Sequence, residues 1–407
     1  MEKQKCPELR FSQYKNDWYE TTLGDVVDIV GGGTPDTNVS EFWNGDIDWY
    51  SPTEIGENVY ANGSIKKITA LGLKNSSAKI LPAKKTVLFS SRAGIGDMAI
   101  LNKPAATNQG FQSFIANNID VYFLYSMGAK IKKFALSKAS GSTFLEISRN
   151  QLAQMEFLVP SVESGEQIQI GSFFQNLDQS IALQEKKLSQ TQNLKKAMLE
   201  KMFPKEGSKQ PEIRLRGFSG DWEKKLLDDE VEFFSGLTYS PDDLTNKNGT
   251  LVLRSSNVQD NQICMDDNVY VVHDAVNVCN VEVGDIIVVV RNGSRSLIGK
   301  HAVINKQMKN TVIGAFMTGV KAKNPYFINA LFDTCLFDLA VSRNLGATIN
   351  QITTGMFKQM EFKFPDKTEQ IAIGQFFKQL DETLVLQQQQ LQTLKNLKQA
   401  FLEKMFV

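Results

Sequence analysis

The sequence predicts an α+β protein in two alike halves, each a small mixed domain followed by a long helix. Three observations predict it. A 38-residue segment occurs twice at a fixed offset of 203 residues, with 21 identities. Short β-rich runs that empty into Gly, Ser, Asn and Arg fill the regions between the recurring frames. The recurring segments lack proline and space their apolar residues alternately by four and three, the signature of a helical seam.

The chain has 407 residues, which suggests two or three domains at roughly 150 residues each. Apolar residues make up 42% and charged residues 22%, a globular balance. Lys+Arg and Asp+Glu are both 45, so the chain cannot coat nucleic acid by net charge; it could still read it through placed groups. The four cysteines, Cys6, Cys264, Cys279 and Cys335, form no CxxC pair and argue against a disulfide framework or zinc cluster. With only His273 and His301, a histidine-rich metal site is excluded. The polar N-terminus MEKQKCPELRF carries no export signal, and the longest apolar run, Ile286 to Val290, is far too short to span a membrane. A cytoplasmic, non-membrane protein is expected.

Taken in order, each half opens on a matching edge, PELRFSQYKNDW (7–18) and PEIRLRGFSGDW (211–222). The middles, 19–150 and 223–350, diverge. In the first, VVDIV precedes GGGTPD (31–36) and TVLFSS precedes RAGIGD (92–97). In the second, TLVLRSSN (250–257) and GDIIVVVRNGSR (284–295) do the same. Strands that end in such residues place polar groups on loops above a rigid sheet. Helical stretches are expected over 120–138 and 326–345. The middles then close on GSTFLEISRNQLAQMEF (141–157) and GATINQITTGMFKQMEF (346–362), with seven identities in 17. Alike frames around unlike centres suggest two heads of one kind with different targets.

The long helices follow over 166–203 and 369–406, each a rod of about 57 Å at ~1.5 Å per residue. The first seam runs Ile170, Phe174, Leu177, Ile181, Leu188, Met198 and Met202. The second runs Ile373, Phe377, Leu380, Leu384, Leu391, Leu394, Phe401 and Met405. Gln184 and Gln387, then Lys195 and Lys398, interrupt both seams alike, as register-fixing polar residues do. Spacing leaves parallel and antiparallel pairing open. Pro204 and Gly207 end the first helix in the linker PKEGSKQP (204–211).

No complete catalytic set is present. GGGTP (31–35) lacks the Gly-Lys-Ser/Thr ending of a phosphate-binding loop. NPYF (324–327) lacks the second proline of an adenine-methyltransferase tetrad and has no upstream cofactor loop. Glu361-Phe362-Lys363 reads as a surface strand rather than a nuclease motif, and no G-x-S-x-G elbow occurs. A binding protein is therefore favoured over a duplicated, drifted DNA-modifying enzyme. A coiled-coil adaptor that binds protein alone is a further rival. Neither middle is an obvious phosphate clamp, with 13 basic and 12 acidic residues over 18–150 and 12 and 15 over 223–350. Arg254, Arg291 and Arg295 stand out among Ser and Asn after strands, where guanidinium groups can reach base edges.

In their order within the duplication, several pieces together resemble the specificity subunit of type I restriction–modification systems. They are GGGTPDTNVSEFWNGDIDWYS (31–51), FSSRAGIG (89–96), ATNQGF (106–111), GSTFLEIS (141–148), RSSNVQD (254–260), VRNGSRSLIGK (290–300), GATINQIT (346–353) and the two helices. The resemblance covers nearly the whole chain. It implies two α/β target-recognition domains, each reading half of a split double-stranded DNA site, separated by two long helices that form an antiparallel coiled coil. The division becomes a first recognition domain (1–160), a spacer helix and linker (161–209), a second recognition domain (210–365) and a second spacer helix (366–407). It further implies docking of two methyltransferase subunits and of motor–nuclease subunits. S-adenosylmethionine, ATP and Mg²⁺ would sit on those partners, with no cofactor or metal on this chain. The expected DNA-facing residues are Thr34, Ser90, Ser91, Arg92, Asn108, Gln109, Ser142 and Thr143 in the first domain. In the second they are Arg254, Ser255, Ser256, Asn257, Arg291, Asn292, Ser294, Arg295, Lys300, Thr348 and Asn350.

Overall fold

A computed structural model describes residues 6–92, 94–141, 145–246, 248–345 and 350–407. The chain forms two compact units that cut across its linear order. One takes residues up to Lys186 together with Gln389–Val407; the other takes Lys187–Gln388. Each unit thus owns the opening half of one long helix and the closing half of the other.

In the first unit, a five-stranded sheet runs in the order Val27–Gly31, Gln112–Ala116, Thr86–Phe89, Met98–Leu101, Tyr60–Ala61. A three-stranded sheet, Lys66–Ile68, Trp43–Tyr50, Ala106–Thr107, stands beside it in sequence. Thr86–Phe89 and Met98–Leu101 are buried at every position, as their unbroken apolar character requires. The expected helical stretch 120–138 forms as Val121–Ser126 and Gly128–Lys138, the first capped by Asp120 accepting from the amides of Tyr122 and Phe123.

The second unit carries an antiparallel sheet in the order Val231–Ser235, Met317–Ala322, Ile286–Val289, His301–Val303. A second sheet orders Leu244–Thr245, Val269–Val271, Thr250–Leu253, Thr311–Ile313. The stretch 326–345 forms as Pro325–Phe332 and Cys335–Asn344. Asn324 of the NPYF motif stands at the entry to the first of these and donates from Nδ2 to Gln370 Oε1 at 3.0 Å, a structural use of that motif. Immediately after the matching opening edges, one small ribbon forms in each unit: Tyr19–Thr22 with Glu156–Val159, and Glu223–Leu226 with Glu361–Phe364.

The long helices run Glu166–Lys201 and Lys367–Lys404. Within each unit they pair antiparallel. In the first unit Phe173 meets Phe401 with ring centroids 4.9 Å apart, Asp178 meets Lys398 at 2.5 Å, and Gln184 donates to Gln390 at 3.1 Å. As numbers rise on one helix they fall on the other. In the second unit Lys195 meets Asp381 at 2.5 Å and Phe203 meets Phe377 at 6.1 Å. The named seam residues Phe174, Leu177, Ile181 and Leu188, and Phe377, Leu380, Leu384 and Leu391, are all buried or half-buried. The lysines that interrupt the seam are therefore partnered across it.

The duplication explains itself residue by residue. Arg10 grips buried Glu166 with two bonds of 2.6 and 2.7 Å, and Arg214 grips buried Glu369 with 2.8 and 2.7 Å. Gln167 and Gln370 each donate to the carbonyl of the proline before the helix, Pro160 and Pro365. An aromatic set recurs in both cores: Trp18, Phe123, Phe174 and Phe406 in one, Trp222, Phe327, Phe377 and Phe203 in the other. The Met-Phe that ends each helix thus fills the core of the unit in which that helix finishes. Just beyond each end, the matching loop segment closes on the helix: the Ile213 amide donates to Lys201 O, and the Leu9 amide donates to Lys404 O, both at 2.9 Å.

The early glycine of each helix is a point of close approach. A Cβ on Gly171 would stand 2.3 Å from Asp120 Oδ1, and one on Gly374 would stand 2.8 Å from the Phe327 amide nitrogen. Each glycine lets the start of a short helix seat against the long one.

Candidate nucleic-acid interface

Each unit gathers several loops at the ends of its strands. In the first, the Gly33 amide donates to Thr107 O at 2.9 Å, and Asn108 N donates to Tyr50 O at 2.9 Å. Ser91 N donates to Gly110 O at 2.8 Å, and Ile147 N donates to Ser91 O at 3.1 Å. The hydroxyl of Thr34 donates to Gln109 Oε1, tying two loops through side chains. A Cβ on Gly32 would lie 2.0 Å from Asn108 O, so the glycine run permits the backbone approach that closes the cluster.

The second unit repeats this frame. Val290 N donates to Phe316 O at 2.9 Å, and Ile352 N donates to Val290 O at 2.9 Å. These bonds match those of Ser91 in the first unit. Arg92 and Arg291 follow immediately and occupy equivalent places, each bridged to the closing loop, at Glu146 and Gln351 respectively. Around Arg291, Asn292 Nδ2 donates to Ser255 Oγ at 3.0 Å, and Asn350 Nδ2 donates to Gly293 O at 3.1 Å.

The expected site residues therefore separate into groups. Thr34, Arg92, Asn108 and Gln109 come together in one cluster; Ser255, Arg291, Asn292 and Asn350 come together in the other. Ser90, Ser91 and Asn257 are fully buried and hold the loops rather than present a group to solvent. Ser90 Oγ donates to Gly94 O at 2.5 Å and accepts from Asp97 N at 2.9 Å; Asn257 Nδ2 donates to Cys264 O and Asp267 O at 3.0 and 3.1 Å. Ser256 Oγ is also buried. Arg254 is committed to Asp267 at 2.8 Å, and Arg295 points a long 3.4 Å bond at Leu345 O. Ser294 shares a 2.9 Å bond with Ser296, and Lys300 is exposed. Ser142, Thr143 and Thr348 lie outside the described residues.

Sequence reasoning missed Phe316. The residue is 54% exposed, and its ring centroid lies 5.0 Å from the Arg291 guanidinium carbon. An apolar residue next to a strand reads as core, and only the fold shows it on a turn.

Electrostatically the sharpest feature is away from the loops. In the second unit His301, Asp333, Lys195 and Asp381 form a chain of contacts at 3.1, 2.7 and 2.5 Å. Burial works against the Asp333 carboxylate, but hydrogen bonding and charge from His301 and Lys195 outweigh it and hold Asp333 below its ordinary value. Asp381 goes the other way: burial, with Asp333 as a like charge, outweighs Lys195 and holds it above. The first unit places Tyr122 at the matching carboxylate, donating to Asp178 at 2.7 Å. Burial and then Asp178 push Tyr125 up to about 12. Among the described residues, no group of three or more His, Cys, Asp or Glu is arranged to hold a metal, and no helix is long and apolar enough to cross a membrane.

Comparison with known proteins follows the same duplication. The family model for the type I restriction modification DNA specificity domain matches twice, over residues 15–193 and 219–396. The chain is similar to the type I restriction enzyme MjaIX specificity subunit of Methanocaldococcus jannaschii, at 33% identity over 47% of this chain and 44% of that one. It is likewise similar to the EcoR124I/EcoR124II specificity subunit of Escherichia coli, at 32% identity over 42% of this chain and 44% of that one. The matched stretches thus span less than half the length of these relatives. In fold, it resembles the type I restriction–modification S subunit of M. genitalium, with a TM-score of 0.65 at 15% identity over 99% of both chains.

Proposed function

Because the chain belongs to the type I restriction–modification DNA specificity domain family, we propose that it supplies the DNA sequence specificity of such a complex. Each globular domain reads one half of a bipartite double-stranded site. The observation that carries this reading is the pair of loop clusters: one backbone frame built twice, with Arg92 and Gly110 at one set of places and Arg291 and Phe316 at the other. Equal frames give two equal ways of meeting a duplex, and unequal side chains give two different sequences read.

In this reading the four linear segments keep distinct tasks. Residues 1–160 and 210–365 recognise DNA; 161–209 and 366–407 set the gap between half-sites and dock two methyltransferase subunits. Support for docking comes from leucines repeated on the outer side of the helices. Leu183 and Leu386, and Leu194 and Leu397, occupy corresponding positions and are all exposed. Exposed apolar residues repeated in register suit a helical partner at each end. The chain itself performs no chemistry. S-adenosylmethionine belongs to the methyltransferase subunits, which flip the target adenine; ATP and Mg²⁺ belong to motor–nuclease subunits. The complex works in the cytoplasm.

Methylome sequencing of the host with and without this gene tests the proposal. One split motif should disappear with the gene. Methylation that persists unchanged, or that shows no split motif, overturns the reading.

A further inference from the structure

We propose that Phe316 and Arg291 form one reading element of the second domain, in which the ring abuts the C5-methyl group of a thymine and the guanidinium reaches an adjacent guanine in the major groove. This deepens the DNA-reading proposal and rests on it.

Phe316 stands on a turn that cannot fold away. Gly314 N donates to Leu253 O at 2.8 Å, Ala315 N to Leu237 O at 2.9 Å, and Met317 N to Gly314 O at 2.9 Å. The carbonyl of Phe316 itself accepts from Val290 N at 2.9 Å and Arg291 N at 3.2 Å. The backbone is held by these bonds while the residue stays 54% exposed. With the backbone fixed, only the two side-chain torsions of Phe316 remain to be ordered on binding.

Arg291 contributes the polar half. Of the three arginines in these loops, Arg254 is neutralised by Asp267 and Arg295 is directed to Leu345 O. Among the described residues Arg291 forms no ion pair, and its guanidinium lies 5.0 Å from the Phe316 ring centroid. A guanidinium carbon 5.0 Å over the ring makes a cation–π contact and leaves N–H donors available for O6 and N7 of guanine. The same contact decides what the ring does. Insertion between two bases needs both ring faces, and Arg291 covers one. The remaining face and edge suit a methyl group, which thymine alone offers in the major groove.

The first domain provides an internal control. Gly110 holds the place of Phe316, since Ser91 N donates to its carbonyl as Val290 N does to that of Phe316. A Cβ there would meet Pro52 Cγ at 2.7 Å, so no ring can stand at that position. The element is private to one half-site.

The experiment uses the full complex with its methyltransferase subunits and a duplex bearing the split motif. Each thymine is replaced in turn by deoxyuridine, which removes the methyl group and keeps the pairing. One position in the second half-site should weaken binding about fourfold, the worth of one buried methyl. Phe316→Ala should show that loss on thymine DNA and no further loss on the deoxyuridine duplex, with the first half-site unchanged. Its melting temperature should match the parent, because the ring is exposed. Phe316→Leu should retain part of the discrimination. A Phe316→Ala complex that still distinguishes thymine from uracil, loses affinity equally at both half-sites, or meets a second half-site with no methyl-sensitive position overturns this inference alone. Absence of any split motif overturns the parent reading as well.

Discussion

Gly171 sits inside a helix, where alanine is worth about 1 kcal/mol more than glycine in intrinsic preference. Its surroundings reverse that sign, because an added Cβ would stand 2.3 Å from Asp120 Oδ1. Gly171→Ala should therefore lower stability in urea titration; a gain would show that the short helix shifts freely. Lys195 makes the opposite lesson about polar seam positions. Lys195→Met leaves buried Asp333 facing Asp381 with only His301 beside it, at a cost of about 3–5 kcal/mol near neutral pH. In the parent, Asp333 lies below its ordinary value, so its contribution persists above the unfolded carboxylate pKa near ~3.9 and is lost as pH falls through the lower folded value. Asp381 already lies above its ordinary value, and losing the lysine raises it further. The folded variant then takes up a proton on acidification, so its deficit should shrink between pH 8 and pH 5, read as the difference in melting temperature. Lys195 and Lys398 were visible in the sequence as breaks in an apolar pattern. Asp178 and Asp381 lie in the repeat and could have been paired with them once antiparallel order was known. Asp333 and His301 lie in the divergent middle, where nothing in the spacing points to the helix.

At the scale of elements, the two substitutions most natural to test the seam are not equal. Leu391 is 6% exposed, whereas Leu188 is only half-buried. Leu391→Lys should cost several times as much stability as Leu188→Lys, by thermal melting and by recovery of the assembled complex. Equal effects would place both leucines in the same environment, contrary to the packing. The helices, their ends and the strands Thr86–Phe89, Thr250–Leu253 and Ile286–Val289 were legible because continuous apolar runs and heptad spacing each have one structural meaning. The loops were legible only as polar chemistry near strand ends. Ser90 and Asn257 carry the same groups as Thr34 and Asn292 but are fully buried, whereas exposed Thr34 and half-buried Asn292 make their loop bonds nearer the surface; burial sets that distinction, and composition does not show it.

For the whole molecule, the proposal gives the antiparallel helices the task of setting the gap between half-sites. Adding one heptad to both helices, near the points where the chain passes between units at Lys186 and Gln388, lengthens the pair by about 10 Å. The gap in the methylated motif should widen by about three base pairs, at ~3.4 Å per pair; an unchanged gap would remove the helices from that role. The duplication announced this architecture in the sequence, whereas the assignment of each helix end to a core did not follow from periodicity. That assignment has one more consequence. The bond from Leu9 to Lys404 copies the bond from Ile213 to Lys201, and Lys404 also pairs with Glu8 at 3.5 Å. The two contacts are made by corresponding residues, so a linker that joins Lys201 to Ile213 should join Lys404 to Leu9 equally well. A circularly rearranged gene, opened within 204–210 and closed by a copy of that linker, should yield a protein with the same melting curve and the same motif.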